Sequence, residues 1–394
     1  MEDRVERRHD LDWLRVIAVF LLLPFHSARV FDPFEDFYVH SASTSEPLFW
    51  SVIAFVALWQ MELLFVLAGA ASWYAFGRRS AHEYRAERVK RLLVPLLFGL
   101  VVIVPVQSYL AIVWRGGSAS IPAFTADYWT MQREFGGYDG GFTFGHLWFI
   151  FYLFLYSMAA APMFARWRSR TGPRRWVSWY LLLMPLVLFL GDAIPWPDDG
   201  PQNLFYSFAL FVGGFLLVSE PRLEAAIDGA WRWLAPLAGT LVGVQLWLRI
   251  SGTGDRWDTG GAVSDLLDVF VATVTWVGVL ALLALGRRFL SFDTAFLRWG
   301  NEGAYPIYLL HQSVIIVVAY AALTAYALPA LPGFALVFAG SLLATVAVYE
   351  LVVKRTRLTR FLFGMKPRPP RTLDPPTPTG SLPARQHADA QRAS

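Results

Sequence analysis

Arg15 and His26 interrupt an otherwise apolar run, LDWLRVIAVFLLLPFHSARVF (11–31). Eleven positions at about 100° per residue bring the two side chains back to within roughly 20° of one helix face, with a rise of roughly 16 Å between them. Ionisable groups inside a membrane span are costly and by default mark a functional site. An imidazole works as a general base near neutral pH, so His26 suits proton removal from a weak nucleophile such as a hydroxyl. The plainer alternative is an Arg15 that snorkels to the interface and a His26 that hydrogen-bonds a neighbouring helix.

Other chemistry-bearing residues fall into two groups. Towards one surface, GRRSAHEYRAERVKRLLVP carries Arg85, Arg88 and Arg91 at i, i+3 and i+6, a guanidinium ladder whose forks suit phosphate. Positive-inside topology and lipid headgroups would explain the same charges. Towards the other surface lies segment 114–144, rich in Gly and aromatics, with Tyr128, Trp129 and Tyr138 beside Asp127 and Asp139. Loops of this length usually cover a site or are disordered. His146 opens the following apolar run. Gln60 and Glu62 lie within MELLFVLAGA, where a carboxyl needs a partner or a proton. His311 sits about 9 Å into an apolar run beginning near Tyr305. Cysteine is absent, which excludes disulfides and a cysteinyl acyl-enzyme. No P-loop, HExxH or Gly-x-Ser-x-Gly motif occurs.

The elements that must position these groups are membrane helices. With 56% hydrophobic and 16% aromatic residues, the chain has more apolar surface than a soluble fold can cover. Ten apolar runs are expected to span: 11–31, 48–76, 92–113, 146–165, 176–190, 204–219, 230–248, 263–285, 305–327 and 333–353, the fifth being short for a crossing. With the N-terminus inside, the inner segments hold 28 Lys and Arg and the outer ones 4. The sequence therefore predicts an all-α, polytopic protein with ten transmembrane helices and both termini cytoplasmic. Its parts are a cytoplasmic segment 1–10, a membrane domain 11–355 and a disordered Pro-rich tail 364–394. MEDRVERRHD is too charged for a cleaved signal, so the first run is expected to be retained. The net charge of +4 clusters at helix ends and is no nucleic-acid signature.

The ordered set Arg-x10-His (Arg15, His26), LFVLAG, RVKRLLVP, GHLWFIFYLF and YPIYLLH (305–311) resembles the acyltransferase-3 family of integral membrane acyltransferases. The resemblance covers about residues 10–355 and is nearest the branch of periplasmic glucan succinyltransferases. It implies transfer of an acetyl or succinyl group from cytoplasmic acyl-CoA to a hydroxyl of an extracytoplasmic glycan or glycolipid, at the inner (plasma) membrane. It makes His26 the catalytic histidine and Arg15 its motif partner. Arg88 and Arg91 match the family's Arg-x-x-Arg on the CoA side, where Arg85 and His311 are also expected. His146, Trp148 and Glu62 are expected to face the acceptor. No metal and no bound cofactor are expected, acyl-CoA being a co-substrate. The serine usual before the second helix's glycine is Ala68 here, so no role transfers to it.

Two classes compete: a non-enzymatic membrane scaffold, which has no need for aligned ionisable groups in lipid, and a secondary transporter or flippase, which would also carry buried His, Arg and Glu. Such folds more typically show internal repeats with broken helices, and no convincing repeat is visible. Acyl chain, acceptor and any acyl-enzyme stay open at this level.

Overall fold

The computed structural model describes residues 7–367, apart from 34–35, 45, 119, 131–137, 139, 170–174, 198–199 and 259. Asp139, most of the 166–175 loop after Ser169 and the tail from 368 onward thus lie outside the described residues. Among the described residues the fold is all-helical. In chain order the principal helices are α1 (His9–Arg29), α2 (Glu46–Ala57), α3 (Gln60–Phe76), α4 (Ala81–Trp114), α5 (Gly145–Arg168), α6 (Arg175–Leu182) and α7 (Met184–Asp192). They continue with α8 (Leu204–Ser219), α9 (Pro221–Gly229), α10 (Trp231–Ile250), α11 (Ala262–Phe289), α12 (Ala295–Ala325), α13 (Ala330–Val353) and α14 (Arg357–Leu362).

All ten apolar runs are helical, but they do not make ten long spans. Among the described residues, eight helical stretches are long and apolar enough to cross a membrane, with Phe49–Phe76 of α2 and α3 taken as one. The number rises to nine if α8 and α9, bent by 95°, count together. The run 176–190 is divided at Leu183 into α6 and α7. Pro185 lacks the N–H that would bond the carbonyl four residues back. That carbonyl, of Leu181, accepts Trp276 Nε1 from α11 at 2.9 Å instead, so the break is satisfied by a neighbour. The same logic operates in α5, where Pro162 frees the carbonyl of Met158, which accepts Arg85 Nη2 at 3.1 Å.

Two seams fix the bundle around the candidate site. Gly69 of α3 and Gly214 of α8 face each other's backbone. A Cβ on Gly69 would stand 1.9 Å from the Phe211 carbonyl oxygen, and one on Gly214 would stand 2.0 Å from that of Val66. Both positions must therefore lack a side chain, the small-residue packing expected where lipid offers no hydrophobic drive. The second seam joins α1 and α12. Trp13 meets Phe296 (5.9 Å between rings), Arg15 meets Asn301, and Val16 fills the space over Gly300. Residue numbers rise together along both partners, so the helices run parallel, and every level of α1 has a fixed level of α12 beside it.

In α4, Ser80 and Glu83 form a capping box that starts the helix well before the apolar run. Two π-helical turns, Val89–Leu93 and Gly99–Ile103, follow, each just before a proline-bearing turn. Such turns shift the register of all side chains beyond them and concentrate at functional sites.

Candidate active site

The parallel seam carries His26 to His311. Their ring centroids are 5.1 Å apart, and His146 lies 5.1 Å from His311 on the other side. Three imidazoles from α1, α5 and α12 thus form one cluster. Counted from Tyr305, His311 falls on the acyl-CoA side. The helix in fact begins at Ala295, so His311 is sixteen residues into it, about 24 Å along the axis, at the level of His26. His146, expected at the outer interface, is only 6% exposed.

Hydrogen bonding settles the tautomers of two of the three rings. Ser313 Oγ donates to the Ile103 carbonyl at 3.0 Å, so its proton is committed. The Gln107 group that meets Ser313 Oγ at 2.8 Å is therefore the donating NH2, and the same nitrogen meets His146 Nδ1 at 3.2 Å. His146 Nδ1 accepts, while Nε2–H donates to the Leu309 carbonyl at 2.9 Å. Gln312 Nε2 completes the network by donating to Gln107 Oε1 at 2.9 Å. Both nitrogens of His146 are used, which makes it a fixed wall rather than a proton acceptor. His311 donates Nδ1–H to the Tyr308 carbonyl at 2.6 Å, leaving Nε2 as a buried lone pair with no partner. His26 Nδ1 is likewise buried without a partner. His26 and His311 are the pair with free nitrogens. No three His, Asp or Glu among the described residues converge as metal ligands.

The cluster is roofed by the two loops that the sequence places outside. Phe37 stacks on His26 at 6.1 Å and 17°, and Tyr138 packs on Phe37 at 6.0 Å and Tyr38 at 5.1 Å. Asp32 anchors the first loop through a buried ion pair with Arg29 at 2.8 Å. Gly145 (φ +48°) makes the turn into His146, and a Cβ there would come within 3.3 Å of the Tyr38 hydroxyl. Of the aromatic residues singled out in 114–144, Tyr138 reaches this roof, whereas Tyr128 is buried against Phe124, Trp129 and Phe142.

Arg15 does not touch His26. Its guanidinium pairs with Asp12 and donates to Asn301 Oδ1 at 2.5 Å, so it pins the start of α1 to α12. The arginine ladder is also differentiated. Arg85 is tied to the Met158 carbonyl, and Arg91 pairs with Glu87 at 3.2 Å, which Arg79 also holds at 2.9 Å. Arg88 lies over the Tyr84 ring at 4.7 Å with its Nε buried and unpartnered. Of the three, Arg88 is the one with a buried guanidinium nitrogen that lacks a partner. The Tyr305 hydroxyl, within its electrostatic reach, is also buried and unpartnered.

Two residues expected to face the acceptor stand away from the histidine cluster. Trp148 is a core side chain packed on Phe65 (6.0 Å) and Tyr152 (5.5 Å). It follows His146 by two positions, and that spacing turns it to a different face of α5. Glu62 is 2% exposed and forms part of a separate cavity between α2, α3, α7, α8, α10 and α11. Gln60, two positions earlier, points the other way and donates to the Ala18 carbonyl of α1 at 2.5 Å. Sequence reading missed Gln107, Gln312, Ser313 and Asn301. Each is a polar residue in or beside an apolar run, the one signal that could have flagged them.

A family model described as "Acyltransferase domain" matches residues 8–350. Glucans biosynthesis protein C of Escherichia coli (strain SMS-3-5 / SECEC) is 24% identical over 393 residues, covering 92% of this chain and 95% of that protein. The protein of the same name from Salmonella paratyphi B is 25% identical over 396 residues, with the same coverage. No solved structure matches the chain. The multi-pass helical architecture and the match over nearly its whole length agree, and the chain belongs to the acyltransferase-3 family of acyl-transferring enzymes.

Proposed function

We propose that this protein moves an acetyl or succinyl group from cytoplasmic acyl-CoA to a hydroxyl of an extracytoplasmic glucan. The observation that carries the reading is the His26–His311 pair, two facing imidazoles with free nitrogens under a roof of outer-loop aromatic rings. The names of the relatives supply the glucan. In this reading the chain crosses the inner membrane ten times, with α6 and α7 as one broken crossing and both ends in the cytoplasm. The distribution of Lys and Arg supports that orientation.

Arg88 holds a phosphate of CoA at the inner side, aided by Arg91, and the pantetheine arm reaches between the helices towards the histidines. His26 turns one N–H towards His311 Nε2, which leaves its other nitrogen with a lone pair for the acceptor hydroxyl. Hydrogen bonds of this kind tighten when substrate arrives. The hydroxyl proton passes to His26 as its oxygen bonds to the thioester carbonyl carbon. Collapse of the tetrahedral intermediate breaks the C–S bond. The departing thiolate takes the proton, giving the ester and free CoA. His311 keeps the His26 ring oriented, in the way that a second group orients the base in other acyl-transfer sites.

The test is transfer itself. Purified protein in proteoliposomes, given radiolabelled succinyl- or acetyl-CoA on the face bearing Arg88 and a glucan on the other, should yield labelled glucan sensitive to mild alkali. Label retained wholly in acyl-CoA across both donors and a panel of glucans contradicts the reading.

A further inference from the structure

The cavity around Glu62 is unused by the chemistry just described. It holds about 160 Å³, far above the roughly 10–15 Å³ that one water needs. Its walls come from α2, α3, α7, α8, α10 and α11, whereas the histidines stand on α1, α5 and α12. The span Phe49–Phe76 is broken beside it. α2 stops at Ala57 and α3 starts at Gln60, and the Leu58 carbonyl in the break accepts Thr275 Oγ1 at 3.2 Å. The break lies inside that span, and Glu62, just past it, is thirteen residues from one end and fourteen from the other, near mid-membrane. Irregular backbone at that depth is tolerated where it is buried in protein or lines a hydrated cavity. Discontinuous helices commonly build ligand sites at that level.

The polar walls are not equally free. Asp192 Oδ1 accepts the Gly200 N–H at 2.7 Å, and Asp268 is also engaged. Glu62 Oε2 is buried without a partner. Arg249, exposed at the rim, makes no side-chain ion pair or hydrogen bond among the described residues. The unengaged groups are thus one carboxyl oxygen of Glu62 and the exposed guanidinium fork of Arg249, with Tyr206 and Phe189 also in the lining. A single open carboxyl is too little for a free cation. A hydroxyl, which both donates and accepts, satisfies Glu62 in either protonation state and Arg249 as well. Asp192, Pro201 and Arg249 all belong to segments placed outside in the orientation proposed above.

We infer that this cavity is a sugar-binding subsite, taking one neutral polyhydroxylic ring of the acceptor from the outer side, away from the ring that is acylated. The inference deepens the proposed acyl-transfer reading and rests on its orientation.

The experiment uses the full chain in nanodiscs without acyl donor and measures equilibrium binding of a short linear glucose oligosaccharide. Glu62→Leu and Arg249→Met should each weaken binding at least tenfold, the usual scale for a lost hydrogen bond to a charged group. Ala57→Phe, which fills the rim without removing a polar group, should do the same and guards against a Glu62 variant that fails to fold. His26→Ala should keep wild-type affinity. In turnover assays the Glu62 and Arg249 variants should raise the acceptor KM tenfold or more with kcat and acyl-CoA KM unchanged. Equal oligosaccharide binding by wild type and all three cavity variants overturns the inference. So does displacement of the oligosaccharide by ethanolamine phosphate, which would assign the cavity to a zwitterionic headgroup. Cavity-dependent binding by a protein that transfers no acyl group supports the subsite and refutes only the acyl-transfer reading.

Discussion

His311→Phe separates the two placements of that residue. Phenylalanine keeps the ring packed between His26 and His146, both 5.1 Å away, and beside Tyr308 at 5.6 Å. It removes one hydrogen bond, Nδ1–H to the Tyr308 carbonyl, worth about 0.5–1.5 kcal/mol. The stability loss should therefore stay near 1 kcal/mol, and the variant should insert and purify normally. Loss of the group that orients a general base is a different magnitude. Proper acid–base catalysis supplies about 10²–10⁴-fold, or roughly 3–5 kcal/mol of barrier. The expected outcome is a fall in kcat of about a hundredfold with the acyl-CoA KM unchanged, measured with labelled donor at saturating glucan. If His311 instead contacted CoA, as its sequence position implied, KM would rise and kcat would survive. That result, or normal turnover, refutes the assignment made from the cluster.

Three further outcomes follow from particular contacts. Arg88→Lys should raise the acyl-CoA KM about tenfold, because a point charge cannot replace a planar fork, while Arg91→Lys should do less because Glu87 already holds that guanidinium. Gly214→Ala should cost at least the ~1–3 kcal/mol typical of overpacking, since its Cβ would meet backbone at 2.0 Å, whereas Gly243→Ala, with no atom within 4 Å, should be neutral or stabilising in thermal melts. Single cysteines in this cysteine-free chain should be labelled from the cytoplasm at 77–80 and 290–294 and from outside at 36–44; outside labelling at 77–80 would overturn the orientation.

Much of this architecture is legible in the residues, and the failures are instructive. The apolar runs and the Arg15–His26 spacing are local properties, and each corresponds to helix in the structure. RWGNEGAYP reads as a loop, with two glycines and a proline, and that reading sets His311 too near the inner surface. In the bundle those glycines are contact points, Gly300 under Val16 and Gly303 against Tyr349, and the helix runs through them. The division of 176–190 depends on whether another helix supplies a donor to the carbonyl freed by Pro185. Trp276 does so from 95 residues away. Glu62 and Trp148 show the same limit, because a sequence assigns a residue to a helix but not to the neighbour its face will meet. His146 was visible as an intramembrane histidine. Its role as a wall follows from Gln107 and Ser313, which no spacing rule connects to it.

The central claim is that His26 takes the acceptor proton. It is tested most directly by the single-turnover rate of labelled acyl transfer from acyl-CoA to glucan by His26→Gln protein in proteoliposomes, with insertion confirmed by the cysteine labelling above. Glutamine retains hydrogen bonding but cannot take up the proton, so the account predicts normal expression, normal acyl-CoA binding and a rate reduced at least a hundredfold. A well-inserted His26→Gln enzyme with a rate within a few-fold of wild type would contradict it.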